Sequence, residues 1–378
     1  MKDFSRTLSG SSLSGFARSR AWLARLHIDL ILLLLLMLQC GVGLLILYSG
    51  SGKEMGMVIR QFVHMCIGMT VLFTIAQCPP RLFQMVAPWA YSVAVFLLMC
   101  VLLFGTIAKG AQRWLDLPGL PRFQPSEIVK LVLPLTIAWF MSKRPVPPRI
   151  TDLMIAAVMI LVPTALILKQ PDLGTSLLIC ASGVLVLFFS GMSWRLIFTL
   201  IAIVAACAPL LWFFVMHDYQ KQRVLTFLNP ESDPLGTGWN IIQSKTAIGS
   251  GGVDGKGYLQ GTQSQLEFLP ESHTDFIIAV LAEELGLIGV CLLLVLYAAI
   301  ILRCLILSSR AETLFGRLLA GSLSATFFIY VFVNIGMVSG ILPVVGVPLP
   351  LVSYGGTSVV SLLSAFGLIM SMSTHKKR

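Results

Sequence analysis

Ten stretches of this chain are apolar for about 20 residues each, and that repetition restricts the possible folds more than any motif does. They run over 28–48, 57–77, 86–107, 126–142, 152–168, 174–191, 195–216, 275–302, 313–338 and 353–373. A helix of ~20 residues crosses the ~30 Å hydrocarbon core of a bilayer, where each backbone polar group must be paired by protein. Only 12% of the 378 residues are charged, about half the share of a soluble domain. The expected fold is an all-α polytopic membrane protein with about ten transmembrane helices. No A-x-A-like site follows the run at 28–48, so it reads as a first span rather than a cleavable signal. The eight cysteines lie in or beside apolar segments without metal-ligand spacing, which suits small buried hydrophobes.

An even number of spans places both termini on one side. The tail over 1–27 carries Lys2, Arg6, Arg18, Arg20 and Arg25, and the chain ends HKKR. Loops on that side add Arg81, Lys143, Arg144, Arg149, Arg195, Arg303, Arg310 and Arg317. Most of the 27 basic residues thus share one side, which the positive-inside rule makes cytoplasmic. Membrane insertion accounts for the +10 net charge, so no nucleic-acid role is expected. Most acids fall on the other side, where topology does not require them. The expected organisation is a short basic tail followed by one ten-helix domain over 28–378.

The loops are unequal. The segment 217–274, between spans seven and eight, is far longer than the rest and is expected to be extracytoplasmic and functional. It contains NPESDPLGTG (229–238), a possible surface helix WNIIQSKTAIG (239–249) and the glycine run GSGGVDGKG (249–257). The outer segment 339–358 is apolar but punctuated by Pro and Gly. Such backbone at membrane depth must line a cavity or be covered by protein.

Chemistry is expected where acids meet these apolar runs. In FLPESHTDF (268–276), Asp275 stands where the long loop enters span eight, close to His273. Ser272-x-x-Asp275 fits a helix-capping pattern, and an acid there also suits the rim of a membrane cavity, where it would accept a proton from a substrate hydroxyl. His273 reads as its hydrogen-bonding neighbour. Glu127 and Lys130, in QPSEIVKL (124–131), share a helix face at i, i+3. They read as a static ion pair, or as a lysine aimed into a polar cavity and oriented by its glutamate. Asp172, in KQPDLGT (169–175), is a candidate cap for span six. Glu283 and Glu284 lie two turns inside span eight and require partners from elsewhere. The glycine run fails the phosphate-loop pattern, because Gly257 follows Lys256 where Ser or Thr is needed. Its amides suit a diphosphate in principle, with charge from Arg113, Arg223, Lys245 and Lys256.

The loop 219–286, together with GAQRWL (110–115), QPSEIVKL, KQPDLGT and PLVSYGGTS (350–358), resembles the SEDS family of RodA, FtsW and SpoVE, in the same order and over nearly the whole chain from the first span onward. The short N-terminal tail and PESHTDF are nearest the RodA, or elongation, branch. The resemblance implies ten transmembrane helices and a peptidoglycan glycosyltransferase that polymerises lipid II at the outer face of the cytoplasmic membrane. It places the family's essential loop aspartate on Asp275 and its charged pair on Glu127 and Lys130. The implied reaction has a GlcNAc 4-hydroxyl of lipid II attacking the MurNAc anomeric carbon of the lipid-linked glycan, with undecaprenyl diphosphate leaving. The expected partner is a class B penicillin-binding protein, a transpeptidase, among other elongation-complex proteins. The expected cofactor, if any, is a divalent cation (Mg or Mn) at the diphosphate. Two rival readings are a lipid II flippase, which the lack of an inverted repeat disfavours, and a non-catalytic scaffold, for which the charge of Asp275 would be dispensable.

Overall fold

The computed structural model describes residues 27–108, 111–116, 123–215, 218–229, 237–265 and 271–375. Each of the ten apolar stretches is covered by a helix. These are α1 (Leu30–Gly50), α2 (Met55–Gln77), α3 (Pro80–Phe104), α4 (Pro125–Ser142), α5 (Ile150–Leu168), α6 (Leu173–Phe189), α7 (Trp194–Leu210), α11 (Ile277–Arg310), α12 (Leu314–Val338) and α13 (Gly356–Thr374). Among the described residues, α1, α2, α3, α5, α11, α12 and α13 are long and apolar enough to cross a membrane, while α6 is apolar but shorter. A small hairpin, β1 (Thr106–Ala108) with β2 (Ala111–Trp114), joins α3 to α4. The long loop holds α8 (Asp218–Leu228), α9 (Thr237–Gly251) and the single turn α10 (Thr262–Gln265).

Helices α12 and α13 are mostly buried, whereas α2 and α3 expose most of their surface. The exposed side chains are large and apolar, among them Phe62, Trp89 and Phe96, as suits contact with hydrocarbon. With no hydrophobic drive between helices in lipid, close approach through small residues holds them together. Gly68 of α2 lies against Val360 and Leu363 of α13, and Gly367 of α13 lies against the Leu72 backbone of α2. Gln61 adds a polar clasp: its Nε2 donates to the Ser353 carbonyl (3.1 Å) and its Oε1 accepts from Gly355 N–H (3.2 Å). At the opposite end, Asp29 caps α1 through Leu32 N–H (2.9 Å) and receives Nε (2.9 Å) and Nη2 (2.5 Å) of Arg303 on α11.

The predicted surface helix exists as α9, and the loop around it docks by backbone contact. Helix α11 is broken at Gly286, which has φ 63°. Amides of Leu287 and Ile288, beyond the break, donate to the carbonyls of Gly252 (3.0 Å) and Val253 (3.2 Å). In return Lys256 N–H and Gly257 N–H donate to the carbonyls of Glu283 (3.0 Å) and Glu284 (2.9 Å). These pairs satisfy backbone groups that the kink frees, as an apolar surrounding demands. The glycine run therefore does not form a diphosphate cradle: several of its backbone groups are spent on α11. Its glycines permit close approach instead, since a methyl at Gly251 would collide with the Ala282 carbonyl. Gly251→Val is expected to lower stability by at least the ~1–3 kcal/mol of an overpacked core. An unchanged thermal midpoint in detergent would disprove this docking.

The two acids inside α11 find partners here. Glu283, fully buried, accepts from Lys256 Nζ (2.7 Å), Thr262 Oγ1 (3.1 Å) and Gln263 N–H (2.9 Å). Glu284 accepts from Ser49 Oγ of α1. Burial, with Glu284 and Tyr48 nearby, raises the pKa of the Tyr258 hydroxyl, which donates to the Leu45 carbonyl (2.8 Å). Lys256, expected among the diphosphate bases, is thus committed to Glu283. Removing one partner of a buried pair costs roughly 3–5 kcal/mol. Lys256→Met should show that loss in thermal melts, and adding Glu283→Gln should recover most of it. A double variant no more stable than the single one would refute the pairing.

Candidate active site

Three polar features gather where α4, α6, α12 and α13 meet. Pro125 opens α4 at its first position and puts Glu127 in the first turn, where an acid suits the helix dipole. Glu127 Oε1 accepts from Lys130 Nζ (2.6 Å) and Oε2 accepts from Ser361 Oγ of α13 (2.7 Å). Lys130 Nζ also lies 5.5 Å from the ring centroid of Tyr330 on α12, within cation–π range. The pair is therefore part of a four-residue network rather than an isolated i, i+3 bridge.

Asp172 is the expected cap of α6, accepting from Thr175 N–H (3.2 Å). Gln124 Nε2 donates to its other oxygen (3.3 Å). Arg113, carried in by β2, donates from Nη2 to the Pro171 carbonyl (2.6 Å), and its Nε stands 3.6 Å from Asp172 Oδ2. That separation attracts electrostatically but exceeds a hydrogen bond, and Nε is buried without a hydrogen-bond partner.

Asp275 sits in a turn over 271–276, before α11 begins at Ile277. The Ser272-x-x-Asp275 capping box does not form. The N-cap is Phe276, which supplies no side-chain cap, and Ser272 Oγ donates instead to the Gly50 carbonyl (2.8 Å). The physical reason is that the helix starts four residues later than a Ser272 cap requires. The apolar segment before α13 holds this turn. Tyr354 N–H donates to the His273 carbonyl (2.9 Å), and Ser353 Oγ to that of Thr274 (2.5 Å). Asn334 Nδ2, fully buried in α12, donates both to the Asp275 carbonyl (2.9 Å) and to that of Val347 (2.7 Å). Opposite the carboxylate stands Gly346, φ 72°, where even a methyl would come 3.5 Å from Asp275 Oδ2. His273 neighbours Tyr354, ring centroids 6.4 Å apart.

The segment 345–347 joins the two halves of the site. Gly174 of α6 packs on Val345 and Val347, and Val347 forms a small buried cluster with Leu178 and Tyr330. Asp275 thus lies on one flank of this strap, and the Asp172, Lys130 and Tyr330 group on the other. Of the strap itself Val347 is buried and Gly346 exposed, while the chain just after it is covered by protein: Leu349, Leu351 and Val352 are buried, and Tyr297 Oη donates to the Pro350 carbonyl (2.6 Å).

From Lys130 a cleft of about 480 Å³, open mouth included, runs along α12 and α13. Ser358 and Ser361 line its polar end, and Leu323, Phe327, Phe366 and Ile369 its apolar remainder. Positions 358 to 369 span roughly 16 Å of helix. Lys245, on α9, is exposed with its stem against Gly340, a few residues before the strap. The side chain of Arg223 lies outside the described residues. Ser361, Tyr330, Asn334 and Gln124 were not anticipated. Asn334 alone had a signal, a lone amide in the apolar run VFVNIGMV (331–338). Among the described residues, no three His, Cys, Asp or Glu side chains gather to hold a metal.

This architecture has known counterparts. Residues 26–378 match the FtsW/RodA/SpoVE family, described as cell cycle protein. The chain is 56% identical over 353 residues to peptidoglycan glycosyltransferase MrdB of Escherichia coli K12, covering 93% of this chain and 95% of that one. A chain from a peptidoglycan synthase complex, solved to show structural coordination of polymerization and crosslinking, superposes with a TM-score of 0.80 at 32% identity, covering 90% and 96%. The rod shape determining protein RodA of Thermus thermophilus superposes with a TM-score of 0.69 at 29% identity, covering 91% and 95%.

Proposed function

The chain belongs to the FtsW/RodA/SpoVE family of cell cycle proteins, and we infer that it is a peptidoglycan glycosyltransferase, as its relative MrdB is named. It polymerises lipid II into glycan strands for cell elongation and rod shape. The observation that supports this reading is one arrangement: a carboxylate turn and the Tyr330 end of an ion-pair network pack on the strap over 345–347, and an apolar cleft runs from Lys130.

Ten spans cross the cytoplasmic membrane, with both termini inside and 217–274 outside. The basic loops on one side support this arrangement. The cleft along α12 and α13 takes a prenyl tail, with the diphosphate near Lys130 at its polar end. Asp275, held by its backbone rather than spent as a cap, takes the proton from the attacking GlcNAc 4-hydroxyl. The anomeric C–O bond breaks as the new glycosidic bond forms, and undecaprenyl diphosphate leaves with its charge offset by Lys130. Arg113 joins if the diphosphate replaces its Asp172 contact, and Lys245 is placed to meet the sugar or diphosphate from the loop side. His273 positions the turn. A divalent cation, Mg or Mn, at the diphosphate would supply further charge to offset the leaving group.

A class B penicillin-binding protein is the partner that suits this activity, supported by the similarity to a chain solved in a synthase complex. The test is purified protein in liposomes with lipid II added outside, with and without that partner. Glycan polymer supports the proposal. Lipid transfer between leaflets without polymer would replace it with a flippase.

A further inference from the structure

At the end of the molecule opposite Asp275, a second cleft of about 960 Å³, open mouth included, lies between the start of α3 and the end of α4. It is lined by Arg81, Gln84, Met85 and Pro88 from α3 and by Trp139 and Lys143 from α4. The sequence spacing puts each set on one helix face. Its deep side is sealed where Thr136 Oγ1 donates to the Ala87 carbonyl (3.1 Å). Lys143 Nζ stands 4.1 Å from the Trp139 ring centroid. Neighbouring Arg144 is paired with Asp152 (3.3 Å). Arg81 and Lys143 have no acidic partner among the described residues.

We propose that this cleft is a binding site for the phosphodiester headgroup of an anionic phospholipid. Two cations without an acidic partner and the Gln84 amide line one opening, and together supply the donors and positive charge that a single phosphodiester anion takes. The remaining walls are apolar, and the surface directly deeper is too: Met85 is 65% and Trp89 75% exposed. A free anion has no use for that surface, whereas the acyl chains of a lipid lie along it. An indole beside a lysine at a helix end is also the usual composition of the membrane–water interface, and basic pockets between spanning helices hold anionic headgroups. The site is about 20 Å of helix from Lys130, so it is separate from the cleft assigned to the substrate.

The test is native mass spectrometry of the full chain released from nanodiscs of equal phosphatidylglycerol and phosphatidylethanolamine. The wild-type protein should retain phosphatidylglycerol preferentially. The double variant Arg81→Gln, Lys143→Gln should lose that preference by about 25-fold, from roughly fivefold for each surface base. Met85→Glu, which sets a carboxylate at an exposed mouth position and leaves both bases in place, should lose it too, and decides the matter if the double variant fails to fold. Arg149→Gln, at the same end but outside the cleft, should keep it. Equal retention of both lipids by the wild type, or an unchanged preference in the cleft variants, overturns the proposal. So does displacement of the retained lipid by millimolar inorganic phosphate, which would make the cleft a simple anion site.

Discussion

Replacing Asp275 with asparagine is expected to lower lipid II polymerisation by at least the ~10²–10⁴-fold that a general base supplies, with the thermal midpoint nearly unchanged. The structure separates the two effects. The Asp275 turn is held through main-chain carbonyls: Asn334 donates to that of Asp275 itself, Ser353 to that of Thr274 and Tyr354 to that of His273. None of these bonds uses the carboxylate, and α11 does not take its N-cap from this residue. Asparagine keeps the shape and those three main-chain bonds, and removes the charge and the ability to take a proton. Asn334→Leu is the companion substitution, because it removes the donor shared by the turn and the strap. It should lower both stability and activity, whereas Asp275→Asn should touch activity alone. Full polymerisation by Asp275→Asn protein would remove the base assignment.

The second large effect concerns Glu127 and Lys130. Both are largely withdrawn from solvent, with side-chain exposures of 10% and 14%. Lys130→Met leaves the Glu127 carboxylate with Ser361 as its only remaining donor among the bonds described, and the loss of one partner should cost roughly 3–5 kcal/mol. Activity should collapse at the same time. The informative variant is the double substitution Glu127→Gln, Lys130→Met, which removes both charges and keeps an amide for Ser361. It should regain most of the stability, because a buried ion pair and a neutral pair of similar volume often differ little in free energy. Polymerisation should stay lost, since no cation then faces the leaving diphosphate. A double variant that regains activity along with stability would reduce the pair to a packing element.

Much of this could be read from residues near each other in the chain. The apolar runs place ten helices to within a few residues, because a segment surrounded by hydrocarbon must close its own backbone hydrogen bonds and only helix length and apolar content decide where it does so. Local chemistry was legible for the same reason: the Asp172 cap joins residues three apart, as does the Glu127–Lys130 bridge. The Asp275 cap failed because a capping pattern does not say where the helix starts, and here the chain is first drawn back toward Gly50 and the strap. The glycine run failed as an anion cradle because glycine serves close backbone approach and anion binding equally well, and only the partner surface tells them apart.

The sequence by itself determined the membrane class and the sites of the helices, and singled out the three acidic positions around which the proposed chemistry is arranged. The tertiary structure alone decided that Glu283 meets Lys256, that Glu284 meets Ser49 of α1, that Ser361 completes the Glu127 network, and that Asn334 ties the Asp275 turn to the strap. Each of those bonds joins segments separated by a loop or by several helices. Which faces come together is set by packing summed over the whole bundle, a quantity that no local spacing of residues contains.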